Sequence, residues 1–142
     1  MEQNFKNHGR MVPGYHYVLT AFLLLGLIGS VINLFQSEGT AAYYSASLIT
    51  LLFVSAFLTA AFTRIFALKA QDRAIRAEEN LRHFVLTGKT LPDGLTIRQI
   101  VGLRFAANEE FPKLAERAAK EDLSEKAIKQ AIKNWKADTY RV

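Results

Sequence analysis

Residues 11–63, MVPGYHYVLTAFLLLGLIGSVINLFQSEGTAAYYSASLITLLFVSAFLTAAFT, decide the fold, because Glu38 is their one Asp, Glu, Lys or Arg. A helix rises about 1.5 Å per residue, so ~20 apolar residues cross a hydrocarbon core of roughly 30 Å. The stretch has room for two such crossings, over residues 15–35 and 42–63, with a polar turn at 36–41 between them. Pro13 and Gly14 stand just before the first, where a proline costs a starting helix little because its missing N–H has no partner there anyway. Tyr15, His16, Tyr17, Tyr43 and Tyr44 fall at span entrances, the depth that amphipathic rings favour. A cleaved signal peptide has a shorter apolar core, of roughly 7–15 residues, and no second run of equal length behind it. A buried hairpin in a soluble protein fits poorly too, since helices apolar all round need a large protein or lipid to cover them.

Charge sets the expected orientation. The net charge of +5 sits after residue 63, where 16 Lys and Arg face 11 Asp and Glu. Lys6 and Arg10 flank the first span, Arg64, Lys69, Arg73 and Arg76 flank the second, and the turn has no basic residue. The positive-inside bias then puts both termini in the cytoplasm. The chain divides into an N-terminal segment (1–14), a transmembrane helical hairpin (15–63), a helical extension (64–88) and a C-terminal helical domain (89–142).

Small residues recur four apart at Gly26 and Ser30 and at Ala56 and Ala60, a spacing through which membrane helices pack. Neither span holds an Asp, Glu, Lys or Arg, the groups that proton relays and ion pathways usually place at depth, and His16 is read as an interfacial residue. A homo-oligomeric pore or transporter component, with Asn33, Ser55 and Thr59 facing a lumen, is a second reading.

No Gly, Pro or turn cluster interrupts the chain from Thr63 to Thr87, so the second span is expected to continue as one helix ending near Gly88, a typical stop residue. Along it Ala67, Ala70, Ala74, Ala77, Leu81 and Phe84 alternate spacings of three and four, a heptad seam that admits a second helix from another subunit, a partner or the chain's own C-terminal part. The bland reading is that alanine simply favours helix. Asp72 with Arg76 and Glu78 with Arg82 form i,i+4 acid-to-base pairs.

After Leu91-Pro92-Asp93-Gly94, Thr96 and Gln99 have the spacing of a capping box opening a helix to about Ala107. Ile97, Ile100, Val101, Leu103 and Phe105 on it need a lid. Asn108, Glu109 and Glu110 start a second helix whose Phe111, Leu114, Ala115 and Ala118 share a face. Ser124 caps a third, with Leu123 stapled onto Ile128, with Ala131, Ile132 and Trp135 inward, and with Lys126, Lys129, Lys133 and Lys136 along another face. Those four lysines are candidates for binding anionic lipid or nucleic acid, against the bland reading of a solvated face. A DNA-reading helix-turn-helix lacks its cluster of base-contacting side chains, so nucleic acid is disfavoured. The fold class is all-α.

Zero Cys removes disulfides, thiol nucleophiles and Cys-bound metals. Gly-rich phosphate loops, GxSxG, HExxH and calcium-loop motifs are missing as well, so no catalytic residue, metal, cofactor or small-molecule substrate is expected.

Three stretches are distinctive: Met1-Glu2-Gln3-Asn4-Phe5-Lys6-Asn7-His8, Leu68-Lys69-Ala70-Gln71-Asp72-Arg73-Ala74-Ile75-Arg76-Ala77-Glu78-Glu79-Asn80-Leu81-Arg82, and Ile132-Lys133-Asn134-Trp135-Lys136-Ala137-Asp138-Thr139-Tyr140-Arg141. With them the whole chain resembles an uncharacterised family, a domain of unknown function, of short bacterial two-span inner-membrane proteins. The resemblance implies a bacterial inner (cytoplasmic) membrane and an uncleaved hairpin, and it carries over no functional residue. The expected function is non-enzymatic, with membrane lipid and either a second copy or another protein as partners.

Overall fold

The computed structural model describes residues 3–7, 9 and 11–138. His8, Arg10 and the outermost residues of the two quoted termini lie outside them. The chain forms two compact units, Arg10–Ala67 and a second made of Met1–Gly9 with Leu68–Val142. The N-terminal segment thus splits, its first nine residues joining the C-terminal residues in one unit.

In the unit Arg10–Ala67, a π-helical turn over Gly14–Leu19 leads without a break into α1, Thr20–Gln36. The 40–67 part of α2, Thr40–Thr87, follows. Ser37 ends α1 by turning extended, with ψ 126°, and its hydroxyl donates to the Asn33 carbonyl at 2.7 Å. Gly39 takes φ +83°, which a residue without Cβ does at no steric cost. The turn is therefore tighter than the sequence suggests, and α2 starts at Thr40. Both helices, Gly14–Gln36 and Thr40–Thr87, are long and apolar enough to cross a membrane, with mean hydropathies of 2.3 and 2.0 over their most apolar windows.

Side chains join these helices. Phe53 lays its ring against Gly26, where a Cβ would come within 2.1 Å of the ring. The Thr50 hydroxyl donates to the Ser30 carbonyl at 3.1 Å, and Ser30 and Ala46 are buried. At the other end of the hairpin the Tyr15 hydroxyl donates to the Ala60 carbonyl. Gly26 serves the helix contact as a notch for an aromatic ring, and Ser30 serves it through its carbonyl. Most apolar side chains point away from it: 6% of each span's most apolar window is buried, and Phe22, Leu25, Phe35 and Leu52 are all exposed.

The second unit begins with residues 68–87 of α2, which stops at Thr87 because Gly88 adopts φ +73° and its N–H closes onto the Phe84 carbonyl at 2.7 Å. α3 (Ile97–Leu103), α4 (Phe111–Lys120) and α5 (Glu125–Ala131) follow. The capping box forms as the spacing predicts, Thr96 Oγ1 accepting from Gln99 N–H and Gln99 Oε1 from Thr96 N–H. Gln99 also donates to Asp122 Oδ1 at 3.0 Å and to the Leu123 carbonyl at 3.1 Å, tying the start of α3 to the α4–α5 turn. Ser124 caps α5 by accepting from Ala127 N–H. Ile100, Leu103, Phe111, Leu114, Ala115, Ala118 and Ile128 form the core, and Ile75 of α2 joins it. Gly102 lets α3 and α5 pack closely, since a Cβ there would meet the Glu125 carbonyl and Ile128 at 3.2 Å.

Two helices are shorter than the periodicity predicts, for one shared reason. α3 ends at Leu103 and α5 at Ala131, freeing Phe105–Ala107 and Asn134–Lys136 to pair as extended chain. Ala107 N–H donates to the Asn134 carbonyl at 3.0 Å and Lys136 N–H to the Phe105 carbonyl at 2.7 Å. Trp135 then stacks on the fully buried Phe105 at 4.6 Å. Glu110, instead of capping α4, accepts from the N–H groups of Lys133 and Asn134 at 3.1 and 2.9 Å. A carboxylate thus satisfies two backbone donors that a longer α5 would have satisfied within itself.

The N-terminal residues dock on this tail. Gln3 accepts from Asp138 N–H at 2.8 Å and donates to the Asp138 carbonyl at 3.0 Å, and Trp135 Nε1 donates to Gln3 Oε1 at 3.4 Å. Asn4 and Asn7 brace the segment, Asn7 Oδ1 accepting from Asn4 N–H and Asn4 Oδ1 from Lys6 N–H. The buried Arg104 completes the corner by pairing with Asp138 at 3.2 Å.

Candidate interaction surface on the helical extension

Residues 68–87 of α2 have two unlike sides. Ile75, Glu79 and His83 recur every four residues and are buried, with the Arg82 side chain 12% exposed beside them. At ~100° per residue this stripe stands opposite Ala70, Ala74, Ala77, Leu81 and Phe84, all exposed. Leu81 and Phe84 are 64% and 53% exposed, and the adjoining Val85 75%. Ala67, the first residue of the predicted seam, belongs to the other unit and is half-buried. The C-terminal helices therefore take the stripe opposite the alanine seam, leaving the seam uncovered.

The inward side is held by polar ties. Arg82 Nη1 pairs with Glu79 at 2.9 Å, Nη2 donates to the Ala106 carbonyl at 2.6 Å, and Nε donates to Asn108 Oδ1 at 2.9 Å. Its guanidinium sits 4.3 Å over the Phe111 ring, so one side chain joins α2 to the α3–α4 connection and to α4. The i,i+4 pairing of Arg82 with Glu78 gives way to this arrangement, because Glu79 shares the buried side with it. His83 Nδ1 donates to the Lys89 carbonyl at 2.8 Å and stands edge-on to Phe111, fixing the chain just beyond Gly88. Asn80 Oδ1 accepts from Leu91 N–H at 2.9 Å.

The lysine stripe does not form. α5 carries only Lys126 and Lys129, while Lys133 and Lys136 lie beyond its end. Lys129 is buried, pairs with Glu125 at 2.6 Å and stands 5.4 Å from the Phe105 ring centre. The expectation of one four-lysine helical face is corrected by the early stop at Ala131. Of the residues expected to face a lumen, Asn33, Ser55 and Thr59 are exposed, and the Thr59 hydroxyl donates to its own helix at Ser55 O, 2.8 Å away. Among the described residues no three His, Cys, Asp or Glu side chains gather as a metal site needs.

The three stretches that carry the family resemblance share this unit: Gln3 meets Trp135 and Asp138, and Glu79 and Arg82 hold the bundle. A family model described as a family of unknown function, DUF6526, matches residues 1–142. The chain belongs to the DUF6526 family. No curated protein and no solved structure matches it. For this DUF6526 member the contacts of Gln3, Arg82, Arg104 and Glu110 are what pattern reading missed, since each joins residues more than 20 positions apart. The one available signal was at Arg104, a charged residue set between Leu103 and Phe105.

Proposed function

We propose that this chain is a non-enzymatic bacterial inner-membrane protein, a two-span hairpin with both termini in the cytoplasm, whose helical extension associates with a second copy. The carrying observation is the uncovered seam of Ala70, Ala74, Ala77, Leu81 and Phe84. A helix that uses one side for its own bundle and leaves an apolar heptad row opposite is suited to pair with its equal, because alanine rows let two helices approach closely. Confinement to a membrane favours that pairing by raising the effective concentration. Two hydrogen bonds between Gln3 and Asp138 support, independently of charge, the reading that puts the described ends of the chain on one aqueous side.

The absence of cysteine makes the test direct. Ala77→Cys and Leu81→Cys, oxidised in native membranes, are expected to give disulfide-linked homodimers, while Lys113→Cys on the exposed side of α4 gives monomer. Monomer from all three would overturn self-association. A chemical crosslink from Leu81→Cys to a different protein, without homodimer, would transfer the seam to a heterologous partner.

A further inference from the structure

Within the unit Arg10–Ala67, the start of the first span and the end of the second enclose a groove of about 300 Å³. Its walls are mostly apolar, Leu23, Phe57 and Ala61 among them, and its polar side chains are Tyr15, His16, Arg64 and Thr20, whose hydroxyl donates to the Tyr15 carbonyl at 3.2 Å. Arg64 is half-buried and is the first charged residue after the second apolar run. No carboxylate lines the groove, and among the described residues Arg64 makes no ion pair. His16 Nδ1 lies 3.0 Å from the Val12 N–H and 3.1 Å from the Val12 carbonyl, so Val12 engages that nitrogen and Nε2 is the ring atom left for a ligand. The Tyr15 hydroxyl is committed to the Ala60 carbonyl, which binds the two helices together beside the groove.

We infer that this groove binds one anionic phospholipid, an acyl chain lying along Leu23, Phe57 and Ala61 and the phosphate meeting Arg64 and His16. The inference rests on the membrane reading above, which brings this end of both spans to the level of lipid headgroups. A guanidinium with no carboxylate partner at that depth calls for an anion, and phosphate accepts its paired donors. The missing carboxylate also selects among lipids: a choline or ethanolamine headgroup carries a cation, which here faces the Arg64 guanidinium with no acid to offset it. Phosphatidylglycerol brings the phosphate without that repulsion. Basic pockets between helices on the cytoplasmic side are suited to such headgroups.

The test uses the full-length protein, reconstituted in equal phosphatidylglycerol and phosphatidylcholine, released into detergent and weighed with its retained lipids by native mass spectrometry. Wild type is expected to keep phosphatidylglycerol over phosphatidylcholine by about fivefold, the discrimination one interfacial cation supplies. Arg64→Gln should abolish that preference, whereas Lys69→Gln, an exposed basic residue outside the groove, should leave it intact. Ala61→Phe, which fills the groove without changing charge, should lower retention of phosphatidylglycerol. Equal retention of the two lipids by wild type, or an undiminished preference in Arg64→Gln, overturns the assignment. If inorganic phosphate displaces the preference completely, the site is one for free phosphate and the lipid assignment fails. A protein that needs no detergent to stay in solution would instead refute the membrane reading, so the two failures are distinguishable.

Discussion

Replacing Arg82 by Met removes the tie between α2 and the helices that follow while keeping much of the side-chain volume. Glu79, 6% exposed, then loses its cation at 2.9 Å, and the Ala106 carbonyl loses its donor at 2.6 Å. Breaking a buried ion pair from one side costs about 3–5 kcal/mol, because a charge stays behind without compensation. A unit built from Met1–Gly9 and Leu68–Val142 is small, and domains of that size have a total stability of roughly 5 kcal/mol. The variant is therefore left with about 0–2 kcal/mol and is expected to be partly unfolded in this unit and to melt well below wild type. Trp135 is the chain's single tryptophan and stacks on Phe105, so its emission in detergent-solubilised full-length protein reads this unit alone. The double variant Glu79→Leu with Arg82→Met removes both charges and should recover about half of the loss, the remainder being ~1–3 kcal/mol for the carbonyl and side-chain contacts given up. A double variant no more stable than Arg82→Met alone would refute the claim that an abandoned carboxylate causes the damage. An Arg82→Met protein with wild-type thermal unfolding would refute the tie itself.

Two other substitutions probe the remaining contacts. Gly26→Val places a branched side chain where the Phe53 ring now sits, 2.1 Å from a Cβ, and is expected to separate the hairpin helices. Faster proteolysis of the 37–39 turn in bilayers measures it, and Gly26→Val with Phe53→Ala should restore resistance. Gln3→Ala deletes both bonds to Asp138, a loss of about 1–2 kcal/mol that should free the tail and speed its cleavage after Lys136. An unchanged cleavage rate would show that the N-terminal segment is not docked there.

Much of the architecture is legible from residue type alone. Two charge-free runs long enough for a bilayer, a polar turn, a helix that cannot stop before Gly88, the Thr96–Gln99 box and the Ser124 cap all depend on neighbours within a few positions. Local physics settles them: backbone groups near helix ends need partners, and lipid excludes charge. The alanine seam was visible on the same grounds, as a period of three and four. Its exposure was not, because helical phase names two opposite sides of α2 without saying which one the bundle takes.

The sequence by itself determined an all-helical chain with two long apolar helices and a charged remainder, because composition and period act through local contacts. Only the tertiary structure decided that α3 and α5 end early so that Phe105–Ala107 can pair with Asn134–Lys136, that Lys129 is buried, and that Arg82 reaches Ala106. It likewise brought Gln3 to Asp138, 135 positions away. Hydrogen bonds between distant residues form only once the helices have met, and when they form they outweigh the helical preference of the residues they recruit.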